Sequence, residues 1–231
     1  MQKIILPIVF ALLLCTQGRA QTKLGYYKEA QASLMYTAYK SSVEGEADRK
    51  INGLSLDIRA NYSLLGNLIF RDPEKPFFFG DHIGAGLGMG YFKKPDDDFP
   101  FMLSLNLEYG LKACYSINDD LEVGLKWIAG AGTFFTDFKN DFAVAQKPSF
   151  IPSARFANYM VSAGFGKAKV GTGGDGGRGN YLMGEGRVMF GEMNDEMKPS
   201  LFIRVEHYNG KYDETSRKDN CAQISFGFAI M

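Results

Sequence analysis

The chain has little of what catalytic and metal-binding proteins usually need. Histidine is limited to His82 and His207, and cysteine to Cys15, Cys114 and Cys221. So few cysteines exclude the disulfide framework of a small secreted domain. Two histidines far apart in the sequence do not form a metal site. The sequence therefore predicts no cofactor and no metal ion, and it leaves open whether Cys114 and Cys221 pair.

Net charge is also lacking, since 26 basic residues balance 26 acidic ones. Without residues 1–20, which contain Lys3 and Arg19 and no acid, 24 basic and 26 acidic residues remain, giving a charge of −2. There is no overall basic field that would attract nucleic acid. We therefore expect no nucleic-acid partner.

The N-terminus has the pattern of an export signal. Lys3 supplies the positive region, residues 4–14 are apolar, and Gly18-Arg19-Ala20 forms a small-x-small cleavage site before Gln21. This predicts a signal peptide over residues 1–20 and an exported domain over residues 21–231. After residue 20 the sequence has no apolar run of about eighteen residues, which excludes a membrane-spanning helix and leaves a closed β-barrel as the other way to cross a bilayer.

Strict alternation of apolar and polar residues is the strongest signal in the chain. Residues 101–112 alternate from Phe101 to Lys112, and residues 223–230 alternate again at the C-terminus. A period of two predicts β-strands with one apolar and one polar face. Nine such segments can be placed: 29–40, 53–64, 82–93, 101–117, 121–135, 156–168, 180–191, 199–209 and 221–230.

Nine strands cannot form a bacterial barrel whose two termini lie on the same side, because that arrangement needs an even number. Either 68–79 or 142–151 could hold a further strand. The polar turn at 118–120 and the turn at 192–198 lie on the same side only if one extra crossing separates them, which favours 142–151. We therefore predict an all-β, antiparallel, up-and-down transmembrane barrel of 8–10 strands, with ten favoured. Polar stretches at 41–52 and 210–220 predict long external loops.

The two faces of these strands differ in chemistry. The face predicted to contact lipid carries Leu54, Leu56, Ile58, Tyr62, the apolar set from Phe101 to Leu111, Leu121, Val123, Leu125 and Trp127. The opposite face, predicted to line the lumen, carries Asp57, Arg59, Glu108, Lys112, Glu122, Lys126, Glu185, Arg187, Arg204 and Glu206. Because side chains nearly fill the interior of so small a barrel, balanced charges favour a hydrogen-bonded plug. A narrow polar conduit or a binding site is the alternative.

The sequence also contains two glycine-rich stretches. Gly84, Gly86, Gly88 and Gly90 share one face of a strand, where they leave room for long side chains of neighbouring strands. The glycines between 170 and 179 match the spacing of a dinucleotide fingerprint but have no parallel βαβ unit around them. They predict a flexible loop.

His207 is the one candidate for acid–base chemistry. It lies in Arg204-Val205-Glu206-His207-Tyr208-Asn209, and Ser200 and Ser225 are on neighbouring strands. The position is similar to that of the histidine in lipid A deacylases, which acts with a serine, but Asn209 stands where that serine is expected. The alternative interpretation places His207 at a membrane interface beside Tyr208.

Several motifs together resemble small outer-membrane β-barrel proteins of Gram-negative bacteria, especially of the Bacteroidota type. These motifs are Ala20 before Gln21, the glycine- and aromatic-rich strand 84–91, the turn 116–121 and the last strand 224–230. The resemblance implies an outer-membrane location and contact with outer-membrane lipid. It also implies assembly by the barrel-assembly machinery, with Phe226 and Phe228 as its signal because the chain ends in Met231.

Three functions follow as hypotheses. The first is an outer-membrane barrel with a largely filled polar lumen, with a structural or interaction role or limited passage of small solutes. The second is an outer-membrane lipid hydrolase centred on His207. The third is a secreted soluble β-barrel whose apolar faces enclose a hydrophobic ligand.

Overall fold

The computed structural model describes residues 24, 28–65, 76–93, 101–118, 120–136, 142–172, 175–191, 198–212 and 216–231. The predicted signal peptide, residues 1–20, lies outside the described residues. Ten strands are present: β1 Glu29–Ser42, β2 Arg49–Tyr62, β3 Phe77–Lys93, β4 Phe101–Ser116, β5 Leu121–Thr136, β6 Phe142–Phe156, β7 Tyr159–Thr172, β8 Asp175–Met189, β9 Pro199–Lys211 and β10 Lys218–Ile230.

These strands form one closed antiparallel barrel, in which each strand pairs with its neighbours in sequence and β1 pairs with β10. The predicted fold class is confirmed, and so is the tenth strand expected near 142–151, which is β6. Within the described ranges, no helix is long and apolar enough to cross a bilayer.

Antiparallel order places both chain ends at one rim. We call this the terminal rim; it carries the connections at 63–76, 117–120, 157–158 and 190–198. The opposite rim, the distal rim, carries the connections at 43–48, 94–100, 137–141, 173–174 and 212–217.

The expectation of short turns at one rim and long loops at the other is wrong. The polar stretches predicted as loops at 41–52 and 210–220 shorten to 43–48 and 212–217. Their flanking residues continue the ladder, as in the pairs Ser42–Lys218 and Lys211–Lys218. Polar side chains at the ends of these strands therefore extend the barrel.

The flexible loop predicted across the glycines at 170–179 is also wrong. β7 continues to Thr172 and β8 begins at Asp175, with Gly171 opposite Gly176. A Cβ on Gly177 would lie 2.6 Å from the carbonyl carbon of Gly210 in β9. These glycines therefore allow close approach of neighbouring backbones, a use that the composition alone does not distinguish from a linker.

Two irregularities interrupt the ladder. The register shifts between Tyr109 and Gly110 in β4 and between Lys147 and Ser149 in β6. The second shift contains Pro148, which has no N–H to donate and is tolerated at such a bulge. Both shifts change the direction in which side chains of their strands point, while the barrel stays closed.

Apolar clusters fill the interior at its two ends. The distal cluster contains Met35, Tyr39, Ile51, Met102, Val144, Ala168, Val170, Tyr181, Tyr208 and Cys221. The terminal cluster contains Leu24, Phe78 and Cys114. Cys114 and Cys221 are both free and buried, one in each cluster, so the pairing that the sequence left open is not formed.

The glycine face of β3 points inward and lies under side chains of β2. A Cβ on Gly86 would lie 2.6 Å from Cγ of Arg59, and one on Gly88 would lie 2.2 Å from Oδ1 of Asp57. The expectation that a long side chain from the neighbouring strand occupies this space is confirmed for Arg59.

We predict that Gly88→Val prevents most molecules of the protein from folding. The added methyl groups would clash with the Asp57 carboxylate and Ser104. The matched control is Ala85→Val on the exposed face of the same strand. Gel electrophoresis of unheated and heated detergent samples measures the folded fraction. Equal folded fractions for the two variants would show that the space around Gly88 can accept a larger side chain.

Candidate functional site in the barrel interior

Apart from these two apolar clusters, the interior is ionic. Strand positions of the described chain place six carboxylates and six cations there: Glu29, Asp57, Glu108, Glu122, Glu185 and Glu206 with Arg59, Lys112, Lys126, Arg155, Arg187 and Arg204. All ten of the charges that the sequence assigned to the lumen are in this set. Glu29 and Arg155 were missed, because Glu29 begins a strand and Arg155 lies between two of the predicted segments.

Asp57 and Arg59 form a network that crosses three neighbouring strands. Arg59 donates from Nε and Nη2 to Oδ2 of Asp57, at 3.2 and 2.9 Å. The other carboxylate oxygen accepts from Oγ of Ser104 at 3.3 Å and from Nδ2 of Asn106 at 3.4 Å, both on β4. The side chain of Asp57 reaches β4 because the strand between them, β3, has glycine at position 88.

Glu185 holds two arginines in the terminal half of the interior. It accepts from Nη2 of Arg187 at 3.0 Å and from Nε of Arg204 at 2.7 Å. Arg187 also forms an ion pair with Glu29 on β1. Both guanidinium groups lie over the ring of Phe202, each 5.4 Å from its centroid, which adds two cation–π contacts.

Glu206 and Glu108 have partners on their own and on neighbouring strands. Glu206 accepts from the hydroxyls of Tyr208 at 2.9 Å and Tyr181 at 3.3 Å. Glu108 lies 2.9 Å from Nε2 of His82 and 3.8 Å from Nζ of Lys126. Buried charges with this many partners recover part of their desolvation cost, and they fix the positions of the groups around them.

Glu122 links the interior to the start of the chain. It forms an ion pair with Arg155 at 3.0 Å, and its other oxygen accepts from the backbone N–H of Leu24 at 2.6 Å. The Leu24 side chain is buried beside Phe78 and Cys114. Leu24 therefore lies inside the terminal mouth of the barrel.

The distal mouth is covered by a smaller polar cluster. Arg217 donates to Ser41 at 3.0 Å, to the Tyr39 hydroxyl at 3.3 Å and to Asp219 at 3.1 Å. Tyr212 donates to Asp219 at 2.9 Å and lies under the Arg217 guanidinium, which is 4.7 Å from the ring centroid. Partial burial, together with this hydrogen bond to a carboxylate, raises the pKa of Tyr212.

The cavities found among the described interior residues are small. One measures about 60 Å³ and is lined by Leu24, Arg59, Glu108, Lys112 and Arg204 among others. A second of about 10 Å³ lies beside Gln146, whose Nε2 has no hydrogen-bond partner within the described part of the chain. The first cavity can hold a few water molecules, and the second can hold one. Pockets for small organic ligands are roughly 300–1,000 Å³, so these two cavities are suited to water.

The residues of the hydrolase hypothesis do not come together. His207 points outward from β9, where its cross-strand partners are Leu182 and Ala222. Ser200 and Ser225 are buried on the inner face. Because imidazole and hydroxyls lie on opposite sides of the sheet, His207 cannot take a proton from either serine. Among the described residues, no group of three or more His, Cys, Asp and Glu is placed to hold a metal ion.

The outer face carries large apolar side chains around the whole barrel. Exposed examples are Leu34, Leu54, Leu56, Ile58, Leu87, Leu105, Leu107, Leu125, Phe165, Leu182, Ile203, Val205, Ile224, Phe226 and Phe228. Soluble proteins rarely leave so extended an apolar surface uncovered. The barrel is therefore apolar outside and ionic inside, which is the reverse of a soluble protein.

We predict that Glu185→Leu destabilises the folded barrel by about 3–5 kcal/mol, because it leaves Arg187 and Arg204 buried without this shared partner. The control is Asp48→Asn, which removes an exposed ion pair with Lys40 and should change stability little. Urea unfolding of the barrel in detergent measures both. Equal midpoints for the two variants would mean that the Glu185 cluster does not stabilise the fold.

No protein-family model and no curated protein matches this chain. Solved structures that it resembles are outer-membrane β-barrels of Gram-negative bacteria. The toluene transporter TbuX of Ralstonia pickettii is 7% identical, with 94% of this chain and 92% of that chain covered and a TM-score of 0.35. Neisserial surface protein A is 14% identical over 88% and 96%, with a TM-score of 0.29. The attachment invasion locus protein Ail of Yersinia pestis is 12% identical over 87% and 97%, with a TM-score of 0.26. At these values the similarity assigns no function, which has to be inferred from the chemistry of the two barrel faces.

Proposed function

We propose that this chain is an integral outer-membrane β-barrel protein with a polar lumen that side chains largely fill. Its role is structural or interaction-based, with at most slow passage of small solutes. The observation that carries the proposal is the inverted polarity: exposed leucine, isoleucine, valine and phenylalanine outside, and paired charges inside. In a bilayer the outer face contacts acyl chains, whereas in water the same face would cost roughly 25 cal/mol for each Å².

The same polarity argues against the secreted soluble barrel. That hypothesis requires the apolar faces to line the interior and hold a hydrophobic ligand. The interior instead contains Asp57, Glu122 and Arg155, each nearly or fully buried, and the cavity beside Arg59 and Glu108 measures about 60 Å³. That cavity is small for an apolar ligand and is lined by charged as well as apolar side chains.

The route to the outer membrane follows from the sequence. Residues 1–20 act as the signal peptide in this proposal, and the mature chain starts at Gln21. Phe226 and Phe228 lie exposed on the outer face of the last strand, where the barrel-assembly machinery can reach them. The motifs that resemble the Bacteroidota type give the expected source. Because both termini of such barrels lie in the periplasm, the distal rim faces the outside of the cell.

Side chains at three levels along the barrel support the proposal of a closed lumen. Leu24 lies in the terminal mouth with Glu122 and Arg155, the other ten charges lie inside the barrel, and Arg217 with Tyr212 covers the distal mouth. No single side chain blocks the whole path. Passage therefore requires several ion pairs to open, which suits a structural or interaction role better than rapid transport.

We predict that the protein is recovered in the outer-membrane fraction with an N-terminus at Gln21, and that it migrates differently before and after boiling in detergent. A closed hydrogen-bonded ladder resists detergent until it is heated. Cell fractionation, N-terminal sequencing and paired gels measure the three properties. Recovery in the soluble periplasmic or extracellular fraction would overturn the proposal.

We also predict that replacing Arg59, Lys126 and Arg204 by alanine raises the single-channel conductance of the barrel in planar bilayers, since these side chains border the central cavity. The control replaces Lys40, Lys50 and Lys147, three exposed cations of the outer face, by alanine. Heat-dependent migration confirms that each variant is folded. A folded triple variant with unchanged conductance would contradict the assignment of these side chains as the obstruction.

A further inference from the structure

Leu24 lies far from the strand that it precedes. β1 begins five residues later, at Glu29, so Leu24 lies outside the hydrogen-bonded ladder of the barrel. Its N–H donates to Glu122 of β5, and β2–β4 separate β5 from β1 on one side of the barrel while β6–β10 separate them on the other. Leu24 is therefore placed across the terminal mouth from β1, and side-chain contacts hold it there.

Four strands form a socket for the Leu24 side chain. It packs with Phe78 of β3 and Cys114 of β4, and Met160 of β7 packs against the same cluster. Phe78 lies directly opposite Cys114, and Cys114 lies directly opposite Gly124 of β5. We call Phe78, Cys114, Gly124 and Met160 the socket. All four lie within four positions of a strand end at the terminal rim.

Gly124 leaves the space that an aliphatic side chain occupies here. A Cβ on Gly124 would lie 3.0 Å from Sγ of Cys114 and 3.6 Å from Cδ1 of Leu24. A larger residue at position 124 would therefore project toward the Leu24 methyl groups. Leu24 is only 6% exposed although it belongs to no strand. Removal of its apolar surface from water is what favours this seated position.

Leu24 is also part of the wall of the cavity that measures about 60 Å³. The lining of this cavity includes Leu24, Cys114 and Gly124, together with charged residues such as Glu108 and Lys126. Among the described residues that line it, Leu24 alone lies outside the ten strands. It is therefore the part of this wall that can move while every strand stays in place.

Leu24 can leave the socket without leaving a buried charge unpaired. Glu122 accepts from the Leu24 N–H with Oε2, and it forms its ion pair with Arg155 through Oε1, at 3.0 Å. That ion pair joins directly opposed residues of β5 and β6 and does not involve Leu24. Departure of Leu24 costs one hydrogen bond and the burial of one side chain, whereas removal of a partner from a buried ion pair is far more costly.

We propose that Leu24 is a gate residue at the terminal mouth. Seated in the socket, it covers the cavity wall formed by Cys114 and Gly124; unseated, it exposes that wall to water from the periplasm. The ladder stays in register in both states, because it does not include Leu24. The inference rests on the export and membrane location proposed above, which make Leu24 the fourth residue of the mature chain and place the terminal rim in the periplasm.

Two native thiols report on this gate. Cys114 lies in the socket and Cys221 in the distal apolar cluster, and both are free and buried. The full mature barrel in detergent is treated with 2-(trimethylammonium)ethyl methanethiosulfonate, a water-soluble cation, and peptide mass spectrometry follows the modification of each thiol. In the unaltered protein we expect Cys114 to react faster than Cys221, because the gate opens while the barrel stays folded. Equal rates would mean that both thiols react only on unfolding, and would overturn the proposal.

Leu24→Ala should raise the rate of modification at Cys114 roughly tenfold, because alanine loses most of the apolar burial that favours the seated state. The rate at Cys221 should stay unchanged. The matched control is Leu34→Ala, which removes the same atoms from an exposed leucine on the outer face of β1 and should change neither rate. An unchanged rate at Cys114 would contradict the gate. A parallel rise at Cys221 would also contradict it, since this would indicate a general loosening of the barrel.

Leu24→Cys tests the seated state by a separate measurement. Mild oxidation should join the new thiol to Cys114 in a disulfide, and the disulfide should disappear when Leu24→Cys is combined with Cys114→Ala, because Cys221 lies in the cluster at the other end. A folded Leu24→Cys variant without this disulfide would refute the socket. Heat-dependent migration shows that each variant is folded, and if Leu24→Ala does not fold, the other two measurements decide. A protein that shows no heat-dependent migration in any form would refute the membrane proposal and not the gate.

Discussion

Closure of the hydrogen-bonded ladder between β1 and β10 is the constraint on which the rest of this structure depends. Thirteen directly opposed pairs, from Ala30–Ile230 to Ser42–Lys218, join the first and last strands. Once the sheet is closed it has no edge, and each strand residue must point either inward or outward. A slip of one residue would send Asp57 and Arg59 into the outer face and Leu56 and Ile58 into the interior. Register is therefore fixed by the cost of exchanging those two environments.

Charge inside the barrel follows from that closure. Six carboxylates among apolar side chains alone would be costly to bury, and they are stable here because six cations project from the same and neighbouring strands. Two devices bring the partners together. Direct cross-strand opposition pairs Glu185 with Arg204 and Glu122 with Arg155. The glycines of β3 let side chains of β2 reach past their neighbour, so that Asp57 meets Ser104 and Asn106.

The sequence predicted the faces of this barrel better than its contacts. Period-two alternation assigns Glu108 and Lys126 to one face without knowledge of their partners. The face on which a residue lies depends only on its position along its own strand. Partners depend on register between strands, which alternation does not specify, and so the contact between His82 and Glu108 was not foreseen. The strand ends were underestimated for a related reason. Polar residues such as Lys211 and Lys218 suggest a loop, yet they remain in the ladder because their side chains stay exposed on its outer face.

The two faces of the barrel are independent of each other. Val170 belongs to the distal apolar cluster, while its neighbour Lys169 on the same strand faces outward. Interior carboxylates such as Glu185 are paired within the protein, whereas an outward side chain can also contact what surrounds the barrel. Because a residue on β8 or β9 lies on only one of these faces, substitutions on the outer face can change the contacts of the barrel with its surroundings while the interior network stays intact.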